Sequence, residues 1–213
     1  MNRFDPPELR LLAIEDAREL WESFQHSSAT TPYQEHGWLL AWSRTVGRKT
    51  GVKTVVAEVC TGGKPVALLP LMTHRWGGAT VCGWLGGKSQ NINAGIFDPE
   101  WLRSAGRADA IRIVDALKRN LPHVDLFHFS KQPGEMQGCR NPFAHLGVTI
   151  RHPDPLYVAQ MGEDFAAWER ERRSRGTRSS LRRKWNKLQK EFGSVSLVRA
   201  STATELDDIL NAF

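Results

Sequence analysis

The sequence has few cysteines and no long apolar run. Its three cysteines, Cys60, Cys82 and Cys139, are scattered and form no CxxC pair, so neither a disulfide framework nor a zinc site is expected. No apolar stretch approaches the roughly 20 residues that a membrane-spanning helix requires. The first ten residues, MNRFDPPELR, lack the apolar core of a signal peptide. These absences argue against a disulfide-stapled secreted domain and a membrane span, and they predict a cytoplasmic protein.

The usual catalytic signatures are also absent. The chain has no G-x-S-x-G segment, no complete P-loop and no complete Rossmann fingerprint. Its seven histidines show no metal-ligand spacing. The sequence therefore supports no metal site and identifies no catalytic residue.

Positive charge is concentrated in one segment. From Trp168 to Lys190 the chain holds ten Lys or Arg and two Glu, a net charge of +8, whereas the whole chain carries +6, so the other 190 residues sum to −2. The second half of the segment contains an apolar stripe with helical spacing, formed by Leu181, Trp185, Leu188 and Phe192. We predict an amphipathic helix over residues 177–192, with Gly193 as its C-cap.

Three interpretations of this basic helix stay open. Clustered Lys and Arg are the electrostatic footprint of a nucleic-acid binder, although Trp185 lies in the apolar stripe rather than beside the charges. Arg175, Arg178 and Arg182 near the helix start would bind a phosphate or pyrophosphate together with the free N–H groups there. The third interpretation is a solvated basic face with structural ion pairs.

The periodicity predicts a mixed α/β (α+β) fold. Alternating apolar residues and glycine turns predict an antiparallel meander over residues 53–60, 66–74 and 80–85. Longer helices are predicted over 15–24, 33–46 and 107–120, and shorter strands over 9–13, 94–97, 125–130, 148–151, 156–160 and 194–199. The second of these helices is expected to bury Trp38, Trp42 and Val46. The third is expected to bury Ile111, Val114 and Leu117.

The predicted domain boundary lies between residues 173 and 174. Residues 1–173 form the first domain, and residues 174–213 hold the basic helix, a strand and a last helix that opens at a capping box, Thr202–Glu205. The apolar stripe of that helix needs a surface to pack on; it consists of Leu206, Ile209, Leu210 and Phe213. We expect these elements to open a second, incomplete domain; the alternative is that they dock on the first.

The densest polar stretch of the first domain is Gly86–Asn93, GGKSQNIN. It lies between two predicted strands, where Lys88 supplies a cation and Asn91 and Asn93 supply amide donors and acceptors. The functional interpretation is a ligand-binding loop. The structural alternative is a turn in which the Asn side chains bond their own backbone.

Four stretches between residues of about 31 and 190 occur in an order that is typical of one family. They are Thr31-Pro32-Tyr33-Gln34 with Trp38-Leu39; Leu85-Gly86-Gly87-Lys88 with Asn91 and Asn93; Lys131-Gln132-Pro133 followed by Asn141-Pro142-Phe143; and Ser174 through Arg178 to Leu181-Arg182-Arg183. Together they resemble the bacterial CelD-like or BcsL-like acyltransferases, named for cellulose biosynthesis and related to the FemAB and GNAT folds. The resemblance implies two tandem GNAT-like halves: the first has a largely antiparallel twisted sheet with flanking helices, and the second, only begun in this chain, holds the acyl-CoA-binding core.

The resemblance also implies a function. The expected reaction moves an acyl group from acyl-CoA, such as acetyl-CoA, to an amine or hydroxyl of a small molecule or glycan precursor of the cell envelope. The implied substrate-binding residues are Lys88, Asn91, Asn93, Gln132 and Asn141, and CoA phosphates would lie at Arg178, Arg182 and Arg183. Such chemistry positions the thioester and the acceptor for direct attack, so no nucleophile motif is needed.

Two other functions stay open beside the acyltransferase. One is a non-catalytic binding half that works with a partner chain supplying the second half. The other is a nucleic-acid-binding module that uses the helix over residues 177–192, although the resemblance makes nucleic acid an unexpected partner. Arg103–Ala108 also fits the pattern R-x-x-G-x-A, which precedes a helix and cradles the CoA pyrophosphate in GNAT enzymes. With three fixed positions, a chance match is the favoured interpretation.

Overall fold

The computed structural model describes residues 7–28, 30–136, 138–146, 149–151, 156–157, 159 and 162–212. The chain divides into two compact units, Met1–Leu156 and Tyr157–Phe213. The boundary predicted between residues 173 and 174 stays a prediction.

The first unit is built on a mostly antiparallel sheet. The described strands are β1 Glu8–Leu12, β2 Lys53–Thr61, β3 Lys64–Trp76, β4 Ala79–Trp84, β5 Ile96–Phe97, β6 Leu126–Phe127, β7 Glu135–Met136 and β8 Cys139–Arg140. Six of them form one sheet in the order β1-β2-β3-β4-β6, with β5 also paired to β3. Only β4 and β6 run parallel among these pairs. The mixed α/β fold and the meander are confirmed, and a separate antiparallel hairpin, β7–β8, comes after β6 in the chain.

Helices cover both faces of the sheet. They are α1 Arg18–Ser27, α2 His36–Trp42, α3 Arg48–Thr50, α4 Pro99–Ser104 and α5 Arg107–Asn120. Trp21 of α1 and Leu39 of α2 pack on one face, and Leu102 of α4 and Ile113 of α5 pack on the other. The central strand β3 is buried on both faces, which is why its middle reads as a nearly continuous apolar run.

Two predicted helix faces are partly wrong. In the predicted helix 33–46, Trp42 is buried, but Trp38 and Val46 are 42% and 41% exposed. A 3₁₀ turn at Pro32–Gln34 and a π-helical turn at Ser43–Gly47 flank α2. They break the 3.6-residue period that the prediction assumed. The helical path also runs past Gly47 to Thr50.

The burial prediction for α5 is right only in part. Leu117 is buried as expected and Val114 is partly buried, but Ile111 is 40% exposed. Ala110, Ile113 and Ala116 are buried instead. The small alanine side chains allow this face of the helix to approach the sheet. A prediction that considers only large apolar residues does not identify such a face.

The second unit contains three helices, α6 Phe165–Arg172, α7 Arg175–Phe192 and α8 Ala203–Ala212. The predicted basic helix is confirmed, and so is the capping box of α8, where the Glu205 N–H donates to Thr202 Oγ1 at 3.2 Å and the Thr202 N–H donates to Glu205 Oε2 at 3.1 Å. Helix α6 directly precedes the basic helix.

The predicted strand over 194–199 is wrong: these residues are irregular, and Leu197 is fully exposed. A strand needs a neighbour for its backbone groups, and this segment pairs with no described strand. Residues 149–151, 156–157 and 159 are also not in strands. The other residues of those two predicted strands, and Phe213 of the predicted last stripe, lie outside the described residues. In the part of the chain that the structure describes, no helix is long and apolar enough to cross a bilayer.

Candidate ligand site at the end of the parallel strand pair

The site begins where β4 and β6 stop pairing. Their parallel register joins Val81 to Leu126 and Cys82 to Phe127, and the His128 N–H extends it by donating to the Cys82 carbonyl at 2.8 Å. The ladder ends there, at the carboxyl ends of both strands. Ligands of open α/β sheets bind at such ends, where neighbouring connections diverge.

A proline explains why the chain leaves the sheet after β4. The Leu85 N–H donates to the Pro70 carbonyl of β3 at 3.0 Å, but Pro70 has no N–H to donate in return. The chain departs at Gly86 and rejoins β3 only at Ile96, which pairs with Leu68. Residues 86–95, here called the β4–β5 loop, are thus an excursion from what is otherwise one strand against β3.

Lys131 and Asn93 tie this loop to the segment that follows β6. The Lys131 ammonium donates to the carbonyls of Lys88 at 3.1 Å and Gln90 at 2.6 Å. The Lys131 carbonyl accepts from the Asn93 N–H at 3.0 Å. The Asn93 amide Nδ2 donates to the Gly87 carbonyl at 3.1 Å and, at the longer distance of 3.4 Å, to the Ser130 carbonyl. These bonds hold together the two segments that leave the parallel pair.

The loop is also fixed to the helical layer beside it. The buried Gln90 side chain donates to the Tyr33 carbonyl at 2.9 Å, and Trp42 Nε1 donates to Ser89 Oγ at 3.0 Å. Gly86 has φ 90°, and a Cβ on it would lie 2.3 Å from the Gln90 amide. A glycine at position 86 therefore suits both the positive φ and the close approach of Gln90.

Several polar groups of the loop remain available to a ligand. The Lys88 and Asn91 side chains are exposed and bond to no described residue. The N–H groups of Gly86 and Asn91 likewise donate to no described residue. Asn93 is 1% exposed, and its Oδ1 atom has no hydrogen-bond partner within the described part of the chain. The loop therefore offers an exposed cation and two backbone donors, whereas the Asn93 Oδ1 acceptor is buried.

The structure brings together the sequence candidates of the first unit in two adjoining groups. Lys88, Asn91 and Asn93 lie in the β4–β5 loop. Gln132 and Asn141 lie just beyond Lys131, where Asn141 Nδ2 donates to the Pro133 carbonyl at 2.9 Å and contacts Gln132 Oε1 at 3.4 Å. Asn141 is fully buried, and its Oδ1 accepts from the Phe143 N–H at 3.1 Å. Its amide is thus used to fix the local backbone.

Sequence reasoning missed two residues of this region, Lys131 and His128. Lys131 belongs to a family-like stretch, but its left-handed backbone, φ 57°, leaves no signal in a lysine. His128 follows β6 between Phe127 and Phe129, which both pack in the core on the α4–α5 side. Because strand side chains alternate, His128 faces the other side of the sheet, where it is exposed.

The arginines of the second unit that are candidates for binding an anion differ in how far their guanidinium groups already bond to other groups. Arg182 and Arg183 are exposed and form no bond to a described residue. Arg178 is partly buried, and its Nη1 donates to the carbonyls of Arg170 and Arg173 at the end of α6. Its guanidinium therefore serves as a helix C-cap in addition to any anion contact.

The R-x-x-G-x-A stretch of the first unit does precede a helix, since α5 begins at Arg107. However, the Gly106 N–H donates to the Asp109 carboxylate at 2.9 Å. A carboxylate thus occupies the position that a phosphate would need, which agrees with a chance match. Among the described residues, no group of three or more His, Cys, Asp or Glu could hold a metal ion.

Comparisons with known proteins give two structural likenesses. No family model matches the chain, and no curated protein matches it significantly. An acetyltransferase from Trypanosoma brucei is 20% identical, with a TM-score of 0.40, over 72% of this chain and 99% of that chain. A ribosomal-protein-alanine N-acetyltransferase from Brucella melitensis biovar Abortus is 14% identical, with a TM-score of 0.41, over 73% of this chain and 99% of that chain. At these scores neither likeness decides the fold family or the activity.

Proposed function

We propose that this chain is part of a GNAT-type acyltransferase that moves an acyl group from acyl-CoA to an amine or hydroxyl acceptor. One observation carries the proposal: a polar loop with an exposed lysine, Lys88, lies at the carboxyl end of the parallel pair β4–β6. Two of the four motifs that resemble the CelD-like family, Leu85–Asn93 and Lys131–Phe143, fall on the same loop and on the segment that contacts it; that family implies an envelope or polysaccharide acceptor. The cytoplasm is the compartment we propose, since it supplies acyl-CoA.

The chemistry of the loop suits an acyl-CoA thioester. The pantetheine arm is an extended chain with two amides, which can bond to the backbone left open where the ladder ends. The N–H groups of Gly86 and Asn91 are candidate donors to the thioester carbonyl, whose oxygen gains negative charge during attack.

The residues near the loop divide into two proposed roles. Lys88 and Asn91, which bond to no described residue, contact CoA or the acceptor. Asn93, Gln132 and Asn141 mainly hold the segments in place, because their amides already bond to the backbone or to each other. A separate proposed anion site, for a phosphate, lies on the second unit and consists of Arg178, Arg182 and Arg183.

His128 is the proton acceptor that we propose for the reaction. It is exposed at the end of β6, one register position beyond the last parallel pair. Histidine is the side chain most often used for general base catalysis. An acceptor amine or hydroxyl that binds where β4 and β6 separate would lie close to the His128 imidazole.

Calorimetric titration of the 213-residue chain with acetyl-CoA and with a longer acyl-CoA tests the proposal. We expect micromolar binding, weakened by roughly 10- to 100-fold when the Lys88 cation is removed in Lys88→Ala, because a charge-assisted contact is worth about 1.5–3 kcal/mol. Lys49→Ala is the matched control, since Lys49 is an exposed lysine of the same unit. Arg182→Gln with Arg183→Gln tests the phosphate ligands.

Failure to bind either thioester would overturn an acyl-CoA site in this chain and would favour a binding half that needs a partner chain. Binding that Lys88→Ala leaves unchanged would move the site away from the β4–β5 loop. Affinity for a DNA duplex that falls steeply with salt, without affinity for acyl-CoA, would favour the nucleic-acid alternative.

A further inference from the structure

Helix α7 exposes its apolar stripe. Trp185 is 47% exposed and Phe192 is 70% exposed, and neither α6, α7 nor α8 has a buried side chain. Phe165 of α6 continues the apolar surface, and together the two helices form a groove of about 730 Å³. Its apolar lining consists of Phe165, Leu181, Trp185 and Leu188. The second unit therefore presents a contiguous apolar surface.

Cations surround this stripe. Helix α7 holds seven Lys or Arg and one acidic residue, Glu191. Five of the cations are exposed and form no ion pair with a described residue; they are Arg182, Arg183, Lys184, Lys187 and Lys190. Arg182 and Lys184 line the groove itself, so positive charge lies directly beside the apolar residues.

From this arrangement we infer that α7 binds the surface of an anionic membrane. A helix with Trp, Phe and Leu on one side and Lys and Arg on the others lies in the plane of the bilayer interface. The apolar stripe enters the acyl boundary, and the long cationic side chains reach back to the lipid phosphates. Arg182 and Arg183 are also proposed phosphate ligands above, but the vesicle test of this inference needs no acyl-CoA.

Two other occupants have less support in the structure. A nucleic acid would use the cations but leave Trp185 and its apolar neighbours uncovered. An acidic amphipathic helix would match both features, and α8 of this chain, with Glu205, Asp207 and Asp208, has that character. However, Leu206 and Leu210 of α8 are 48% and 62% exposed, so α8 does not cover the stripe within its own unit.

Co-sedimentation of the full chain with lipid vesicles tests the inference. We expect binding to vesicles that contain phosphatidylglycerol and little binding to pure phosphatidylcholine. Neutralising three cations together, Arg182→Gln, Lys184→Gln and Lys187→Gln, should weaken binding on the order of 100-fold, since each cation near an anionic surface contributes about fivefold. The paired variant Trp185→Ser and Leu188→Ser should also lose binding, because it removes the stripe.

Controls separate lipid binding from charge alone and from misfolding. Arg48→Gln with Lys49→Gln removes two exposed cations of the first unit and should leave vesicle binding unchanged. Far-ultraviolet circular dichroism confirms that the α7 variants keep their helix content. A DNA duplex, added in place of vesicles, should bind weakly.

Three outcomes would overturn the inference. One is the absence of sedimentation with anionic vesicles. Another is vesicle binding that survives the loss of Trp185 and Leu188, which would show a purely electrostatic contact. The third is tight DNA binding that depends on the same cations but not on the stripe, which would assign α7 to nucleic acid.

Discussion

At the scale of single residues, His128 carries the sharpest functional prediction. We expect His128→Gln to lower kcat by about 100- to 10,000-fold, the usual contribution of general base catalysis, while acyl-CoA affinity stays unchanged. Steady-state kinetics with a simple amine acceptor, combined with calorimetric titration, measure both quantities. His123→Gln is the control, because His123 is an exposed histidine in the turn before β6. An unchanged kcat in His128→Gln would rule out this base.

Gly83 is the residue on which the parallel pair depends. A Cβ at this position would lie 2.8 Å from the His128 carbonyl oxygen, and a backbone atom in a ladder cannot move away cheaply. We expect Gly83→Ala to destabilise the protein by about 1–3 kcal/mol, as measured by urea unfolding. Gly37→Ala, in α2 with nothing within 4 Å, should be neutral or slightly stabilising. Equal stability of the two variants would contradict the described strand contact.

Cys82 should be chemically inert in the folded protein. Burial raises the pKa of the Cys82 thiol to about 12, so it stays protonated, and therefore unreactive, well above neutral pH. We expect iodoacetamide at pH 8 to leave Cys82 unmodified in native protein and to modify it in urea. Peptide mass spectrometry distinguishes it from Cys60 and Cys139, which are both partly exposed. Rapid native labelling of Cys82 would show that the sheet opens locally.

At the scale of elements, the sequence predicted the meander well because its turns are chemically specified. Gly62, Gly63, Gly77 and Gly78 all have positive φ, and such positions mark hairpins without ambiguity. The helix faces were harder, since the π-helical turn at Ser43–Gly47 changes the period and no residue type announces it. The lock formed by Lys131 could not be predicted either, because its left-handed backbone and its bonds across the loop arise only in the folded chain.

The β4–β5 loop should lose order when its lysine bonds are removed. Lys131→Met keeps the length of the side chain but leaves the carbonyls of Lys88 and Gln90 without their donor. We expect residues 86–95 to exchange amide hydrogens faster in this variant, with a loss of about 1–3 kcal/mol in stability. Hydrogen exchange followed by mass spectrometry measures the amide exchange rate of this segment directly. Lys131→Arg, which keeps a donor, should retain more protection; equal exchange in both variants would show that the ammonium does not hold the loop.

At the scale of the whole molecule, the candidate site arises from pairing that is distant in sequence. Residues 80–83 and 125–128 meet only through the parallel β4–β6 contact, and such pairing has no local signal in sequence. The sequence could therefore identify Lys88 and Asn93 as polar loop residues, and the resemblance could add Gln132 and Asn141. Neither could state that these two groups adjoin one another.

The division of the chain yields the last prediction. Both described hydrophobic cores consist of residues between Leu9 and Leu146, and α6, which follows the structural division, has no buried side chain. A chain that ends at Leu156 should therefore keep the cooperative unfolding of the first unit, within about 0.5 kcal/mol of a chain that ends at Arg173, since exposed segments contribute little to stability. Urea unfolding followed by tryptophan fluorescence compares the two chains. If the shorter one is clearly less stable, residues 157–173 belong to the first domain, and the boundary lies at residue 173, as the charge pattern predicts.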